Sequence, residues 1–281
     1  MSDVVDLEGV YDAIPDDVYH GDKNSLSSSG ARKLLPPSCP ALFRYEQDHR
    51  RKSTTEFDIG HAAHALVLGY GAEIQEIDAL DWKTKAAREE RDLAYEAGKT
   101  PLLTKEHNQV KAMASALKKH PVAAMLFTAG VAEQSLYWRD AETGVWLRAR
   151  PDWMPETDGG RLIITDYKTA VSSNPARFSK SAADFGYHCQ AAWYLDAAIA
   201  LGLADDPAFV FVVQEKSAPY LASVVELDRD AIELGRRLNR RAIDTYAACV
   251  AANHWPGWSD EVELVHLPTW AAYQAEETLN V

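Results

Sequence analysis

Cysteine is scarce, with three in 281 residues. Cys39, Cys189 and Cys249 lie far apart, are odd in number and form no Cys-x-x-Cys pair. That pattern excludes a disulfide framework and a zinc knuckle. Three thiolates cannot hold a four-cysteine iron–sulfur cluster, so no such cofactor is expected and the thiols should be buried and free. No apolar run reaches the ~18 residues of a membrane-spanning helix, so no membrane partner is expected. The opening Met1-Ser2-Asp3-Val4-Val5-Asp6 is acidic and lacks the basic start and apolar stretch of an export signal. The expected location is therefore cytoplasmic. Positive charge is also in short supply, with 29 Lys and Arg against 42 Asp and Glu and a net charge of −13. That excludes a protein that coats nucleic acid by bulk attraction. It leaves open a local basic groove helped by bound metal.

What is present is enough apolar material, 47% of residues, to bury a sizeable core. The length fits one large domain or one domain with an added lobe, and no internal repeat is visible. Residues 1–24 read as loosely structured, and 25–281 as a single domain. Within it, 25–128 is a mostly helical lobe. It has short helical patterns over 25–50 and helices over 54–69 (Phe57, Ala65 and Leu68 among the apolar positions), 82–97 and 104–127, with a short strand over 73–77. From residue 129 the period changes to an α/β core, with strands over 131–139 and 145–153 flanking a hairpin turn. An apolar run over 161–165 leads into Asp166-Tyr167-Lys168. A helix over 187–201, strands over 208–214 and 221–227, and a helix over 230–251 follow. This order predicts a mixed sheet flanked by helices.

One constellation carries chemistry. Arg150-Pro151-Asp152 is followed after thirteen residues by Asp166-Tyr167-Lys168. On the strand reading Asp152 ends one strand and Asp166 ends its neighbour, and Asp166 and Lys168 share a face. Two carboxylates and an ammonium then converge. Mg²⁺ takes hard oxygen ligands and keeps several waters, so two carboxylates plus a substrate phosphate suffice. The lysine could orient or help deprotonate a water, or neutralise phosphate charge. Asp-Tyr-Lys alone also fits an ordinary charged surface strand.

The layout resembles the PD-(D/E)XK nuclease superfamily, with its restriction-endonuclease-like core, and more closely the RecE-type phage and prophage exonucleases. Five segments match in order. They are Leu26-Ser27-Ser28-Ser29 with Arg32-Lys33-Leu34-Leu35, then Ile59-Gly60-His61-Ala62-Ala63-His64-Ala65-Leu66, and then Glu133 on a strand before Trp138. The last two are Arg148-x-Arg150-Pro151-Asp152 with Asp166-Tyr167-Lys168-Thr169, and Tyr187-His188-x-Gln190-x-x-x-Tyr194. The resemblance implies a Mg²⁺-dependent exonuclease that degrades duplex DNA from its ends, 5′ to 3′, for phage-type recombination, with Mn²⁺ able to substitute. It also implies a single-strand annealing recombinase as partner and a ring-shaped homo-oligomer. An endonuclease of the same fold and a catalytically idle interaction protein remain as alternatives.

By the same resemblance Asp152, Asp166 and Lys168 are catalytic, and His64, Asp152, Asp166, Glu133 and Tyr167 lie on the metal side. His64 is preferred to His61 because it matches the motif; imidazole suits a softer cation such as Mn²⁺. Gln190 and Tyr194, neighbours at i, i+4, either contact DNA or the Lys168 region, or pack a helix on the sheet. Ser27, Ser29 and Arg32 could hold a phosphate at a helix N-terminus, although simple N-capping explains the serines as well. Arg148 and Arg150 alternate onto one strand face as phosphate contacts or as partners of carboxylates. Trp82, Trp138, Trp146, Trp153 and Trp193 read as core or interface residues.

Overall fold

The run that ends in Asp166-Tyr167-Lys168 lies in an eight-residue strand, Ile163–Ala170, and the other elements are arranged on its two faces. The computed structural model describes residues 4–49, 55–156 and 159–279, without the side chains of 55–58. Phe57 therefore lies outside the described side chains, and residues 1–3 outside the description altogether.

In chain order the first elements are β1 (Gly9–Tyr11), α1 (Asp16–Gly21), β2 (Ser25–Ser27), α2 (Ser28–Lys33), α3 (Pro40–Asp48), α4 (Thr55–Leu68), β3 (Ile74–Ile77), α5 (Lys85–Glu96), β4 (Thr100–Leu103), α6 (Thr104–Leu117) and α7 (Pro121–Leu126). Then come β5 (Gly130–Ala132), β6 (Ser135–Arg139), β7 (Trp146–Ala149), β8 (Trp153–Pro155), β9 (Ile163–Ala170), α8 (Pro175–Asp184), α9 (Tyr187–Ala200), β10 (Ala208–Glu215), β11 (Ala222–Glu226), α10 (Arg229–Ala252) and α11 (Thr269–Leu279).

The α/β character and the mixed sheet are as expected, but the strands divide differently. One sheet has the order β11-β10-β9-β8-β5, in which β10 runs parallel to β9 and the other pairs are antiparallel. A second has the order β1-β6-β7-β2, and β3 and β4 form a parallel pair of their own. The two strands expected over 131–139 and 145–153 each break, so that β5 and β8 belong to one sheet and β6 and β7 to the other. Pro151 sits in the second break, where it has no N–H to give to a ladder.

Period-two alternation sorts β9. Ile164 packs with Phe209, Phe211, Phe178 and Leu195 against α9 and α8, whereas Tyr167 packs on the other face with Ala62, Ala63, Val110 and Met113 of α4 and α6. Trp138, Trp146, Trp153 and Trp193 are buried, and Trp193 Nε1 donates to the Arg148 carbonyl at 3.0 Å. The long helices α9 and α10 approach closely at Gly235, where a Cβ would lie 2.3 Å from the His188 carbonyl oxygen. The three cysteines are buried free thiols.

Two boundaries of the expected lobe move. Residues 4–24 are tied down: β1 pairs with β6 and Tyr19 is buried. β2 pairs with β7, so the chain just after residue 24 belongs to the second sheet and not to a separate lobe. The helix expected over 104–127 is two, because Pro121 opens a new first turn, capped by His120 Nδ1, which accepts from Ala123 N–H at 3.1 Å. From 257 to 270 every residue is exposed, and α11 buries none. Among the described residues no helix is long and apolar enough to cross a membrane.

Candidate active site

The two strand breaks lie side by side and place two carboxylates. Glu133 has a left-handed backbone, φ 55°, and its N–H donates to the Asp152 carbonyl at 3.2 Å. Next to it, Gly130 allows β5 to close on β8; a Cβ there would lie 2.4 Å from the Met154 carbonyl oxygen. Asp152 therefore sits between β7 and β8, and Asp166 is in the middle of β9, which corrects the expectation that each ends a strand.

The side chains of these residues meet those of α4 and α9. His64 Nε2 is 2.9 Å from Asp152 Oδ2, and His64 Nδ1 is 3.5 Å from Glu133 Oε1. Asp152 Oδ2 also accepts from the Tyr167 N–H at 2.7 Å. Asp166 is 1% exposed. Its Oδ1 accepts from Gln190 Nε2 at 2.6 Å, and its Oδ2 forms an ion pair with Lys168 Nζ at 2.6 Å. Lys168 Nζ sits 5.3 Å from the centre of the Tyr187 ring.

Burial and mutual charge set the protonation states. Burial opposes the charge on His64, but the neighbouring Asp152 and then Glu133 outweigh it and hold the imidazole up at about 9. Burial, then the charge of Asp152, raises Glu133 to about 7. The same two causes raise Asp166 to about 6 against the pull of Lys168. Asp152 is also penalised by burial, yet His64, Lys168 and the Tyr167 N–H keep it below the ordinary carboxylate value. Burial alone would lower Lys168, but Asp166 and Asp152 raise it. Lys168 is thus an ammonium at neutral pH, suited to orienting water and neutralising phosphate.

The donor set fits a divalent cation. His64, Glu133 and Asp152 each offer a ligand atom, all within 4.8 Å of one another. Asp166 adds a buried carboxylate whose Oδ2 is paired with Lys168. Such a mixed oxygen and imidazole set suits Mn²⁺ as well as Mg²⁺. Tyr167 does not join through its side chain. Its place in the alternation turns the ring to the other face, where the hydroxyl donates to Gln214 Oε1 at 2.6 Å.

The remaining residues singled out from the sequence are structural neighbours of the site. Gln190 is buried on Asp166, so of its two functional readings the Lys168 region is the one realised and DNA contact is not. Tyr194 Oη donates to the Arg150 carbonyl at 3.1 Å. Arg148 and Arg150 are 6% and 7% exposed, which corrects their reading as phosphate contacts. Arg148 donates to Ser25 and to the Asp22 carbonyl. Arg150 pairs with Asp16 at 2.6 Å, donates to Ser135 and the Ile14 carbonyl, and lies 3.9 Å from the Tyr19 ring centre. Ser27 caps α2 by accepting from Gly30 N–H at 3.2 Å, Ser29 Oγ lies 3.2 Å from Ser27 Oγ, and Arg32 donates to the Phe185 carbonyl. Sequence reading passed over α8, whose Arg177 and Lys180 line a groove that reaches Lys168; the Asn174-Pro175 start of that helix was the available signal.

Comparison with known proteins supports the same assignment of fold. No curated protein matches the chain. The crystal structure of a "Putative exonuclease" from Eubacterium rectale superposes with a TM-score of 0.61 at 9% identity, covering 96% of this chain and 99% of that one. A second, of SSO0001, reaches a TM-score of 0.37 at 15% identity over 80% of this chain and 77% of that one, too low to carry an argument. The model of the PDDEXK-like domain of unknown function, DUF3799, matches residues 27–268. That span takes in Asp152, Asp166, Lys168, His64 and Glu133, and the chain belongs to this PDDEXK-like family, within the PD-(D/E)XK nuclease superfamily.

Proposed function

We propose that the chain is a divalent-metal-dependent exodeoxyribonuclease that degrades linear double-stranded DNA from its ends. The observation that carries this reading is the convergence of Asp152, Asp166 and Lys168 beside His64 and Glu133. The name of the Eubacterium rectale protein supports an exonuclease over an endonuclease. The RecE-type subtype, 5′ to 3′ polarity, a role in phage-type recombination, an annealing recombinase partner and a ring-shaped oligomer are the finer parts of the proposal, and they rest on the sequence resemblance alone.

The chain's own groups divide the work. Gln190 holds Asp166 Oδ1 and the Tyr167 N–H holds Asp152 Oδ2, so both carboxylates are fixed before substrate arrives. Preorganisation of this kind removes a reorganisation cost from the reaction step. The Lys168 ammonium is placed to orient the attacking water and balance the charge of the scissile phosphate. A bound divalent cation would lower the pKa of a water and polarise the phosphate. Mg²⁺ and Mn²⁺ both fit, and the imidazole of His64 favours Mn²⁺ at that position.

The test is incubation of purified protein with end-labelled linear duplex and covalently closed circles, with Mg²⁺ or EDTA. The linear substrate should disappear only with Mg²⁺ and the circles should survive. Equal cutting of both would replace the exonuclease by an endonuclease of the same fold, and no cutting of either would leave an idle nuclease fold.

A further inference from the structure

On the face of β9 that carries Asp166 and Lys168, a groove of about 630 Å³ opens between α8, the end of β9 and the residue that follows β10. Lys168 stands at its inner end, Arg177 and Lys180 line it from α8, and Lys216 lines it from beyond β10; Asp184 is its one acidic lining residue. Arg177 and Lys180 are three apart and so share one face of the helix. Neither of them, nor Lys216, has an ion pair among the described residues. In a chain of net charge −13, a groove with four cations and one carboxylate is a local reversal of sign. Phe185 also lines it and is 59% exposed. Its ring is 5.7 Å from that of Tyr187, which stacks at 5.6 Å on Phe178.

Cations along a groove with an aromatic platform at its mouth are what a single nucleic-acid strand requires: phosphates follow the cations and a base stacks on the ring. A duplex keeps its bases stacked inside, so only a single strand offers a base face to the exposed Phe185 ring. The geometry points to a single-strand DNA groove, in which Arg177 and Lys180 bind backbone phosphates and Phe185 stacks a base of the strand whose scissile phosphate lies at Lys168. This deepens the nuclease reading and rests on it for where the strand is cut. A consequence is that the duplex end must open over a few nucleotides before it is cut, so a frayed end should be degraded faster than a blunt one.

The experiment compares wild type with Arg177→Ala/Lys180→Ala, with Phe185→Ala, and with Lys118→Ala/Lys119→Ala on exposed positions after α6 as control. Binding of a fluorescent oligothymidine is followed by anisotropy in EDTA, so no cleavage is involved. Each single-strand phosphate contact contributes about 0.7 to the slope of log affinity against log salt. The α8 double variant should therefore lose about 1.4 of that slope. Phe185→Ala should weaken binding about 5- to 150-fold, the range of one stacked base. The control should bind as wild type, and a duplex of the same length should compete poorly. Hydrolysis of a small diester, bis(4-nitrophenyl) phosphate, with Mn²⁺ reads the catalytic centre without the groove, and it should be equal in all four proteins. Wild-type affinity and slope in both groove variants, or equal competition by duplex, would overturn the groove. Loss of diester hydrolysis in the α8 variant would also overturn it, because the change would then act through the catalytic centre. Absence of diester and DNA hydrolysis in wild type would instead overturn the nuclease reading, with the binding result standing apart.

Discussion

Replacing Lys168 by alanine removes the cation that lies 2.6 Å from Asp166 Oδ2, on a carboxyl side chain that is 1% exposed. At ~4 Å and an effective dielectric of ~20, two unit charges attract by ~4 kcal/mol, so the ammonium is a main support of the ionised Asp166. Burial and Asp152 already hold Asp166 up at about 6. Without Lys168 it should hold its proton more tightly, and a metal would have to displace that proton to bind. Two losses then combine. The ammonium no longer orients water or balances the phosphate, and loss of a preorganised electrostatic group of this type costs ~10²–10³-fold in rate. The metal also competes with that proton for Asp166. Only the second loss is reversible by pH, so the rate of Lys168→Ala should rise with pH further into the alkaline range than that of wild type, without reaching the wild-type rate. Lys168→Arg should fail as well, because a planar guanidinium is larger and does not fit a site shaped for a point charge. The assay is single-turnover cleavage of an end-labelled linear duplex across the neutral to alkaline range, beside Mn²⁺ affinity by calorimetry. A Lys168→Ala protein that cuts at near the wild-type rate would place the lysine outside the chemistry and leave Asp166-Tyr167-Lys168 an ordinary strand tripeptide.

Asp152→Ala and Asp166→Ala should each abolish cleavage; retention of most activity in Asp166→Ala would refute the site. The metal-free Asp166→Ala protein should melt no lower than wild type, since burial and Asp152 already disfavour its charge, whereas Asp152→Ala should melt lower, since His64 and the Tyr167 N–H lose their acceptor. His64→Ala should lower turnover and Mn²⁺ affinity more than His61→Ala, because His64 is the imidazole beside Asp152 and Glu133; the reverse order would move the metal set by one turn of α4. Arg150→Met should lower stability to urea by about 1–3 kcal/mol for each buried partner it orphans, Ser135 among them, and leave DNA affinity unchanged; weaker DNA binding with unchanged stability would restore its reading as a phosphate contact. His64, Glu133 and Asp166 are raised to about 9, 7 and 6 from 6.5, 4.5 and 3.8. Each therefore binds protons more tightly folded than unfolded, and its stabilisation is full below the unfolded value and lost as pH rises through the folded one. The metal-free protein should lose stability from about pH 4 to about pH 9, the window those values span, while Asp152, shifted the other way, adds its share once pH exceeds 3.8. Mn²⁺ binding near neutrality should then release protons, read by calorimetry in two buffers of different ionisation enthalpy; binding without proton release would contradict the assigned ligands.

How much of this was legible in the sequence depends on whether the determinant is local. The helix α10 follows from its hydrophobic period, α4 and α9 from long runs of apolar helix-forming residues, and β9 and β10 from short apolar runs, and period two was enough to put Asp166 and Lys168 on one face. The strand β4 was passed over because Thr100-Pro101-Leu102-Leu103 carries a proline inside the run, which argues against a strand unless the partner leaves that position unpaired; it pairs with β3 in a two-stranded sheet. The helix α8 is amphipathic but only ten residues long, with Phe178 and Ala182 its only buried positions, so its apolar stripe is too short to stand out along the chain. The misreading of residues 1–24 has a different cause. Tyr19 is held by Arg148 and Arg150, with ring centres 5.2 and 3.9 Å from the guanidinium carbons, across more than a hundred residues of chain. No window along the sequence contains that contact. The same contact explains why the two arginines, which look like phosphate ligands on an alternating strand, are turned inward.

The excess of acidic residues, which argued against nucleic acid at the outset, is reconciled with the site by distance. At physiological ionic strength exposed charges are screened beyond ~8 Å, so the side chains lining the groove beside Lys168 dominate the field inside it. A phosphate inside that groove therefore feels Lys168, Arg177, Lys180 and Lys216 and little of the carboxylates elsewhere on the surface. Within the catalytic set the balance runs the other way. Three carboxylates, Glu133, Asp152 and Asp166, face two groups able to carry positive charge, His64 and Lys168. Without a cation the centre repels a phosphate whenever the carboxylates are ionised; burial, and after it the charge of Asp152, already disfavours the ionised forms of Glu133 and Asp166. On the proposed reading a polyanionic substrate is held by α8 before the centre is able to act on it, because Arg177, Lys180 and Lys216 carry no ion pair among the described residues while the carboxylates await a metal.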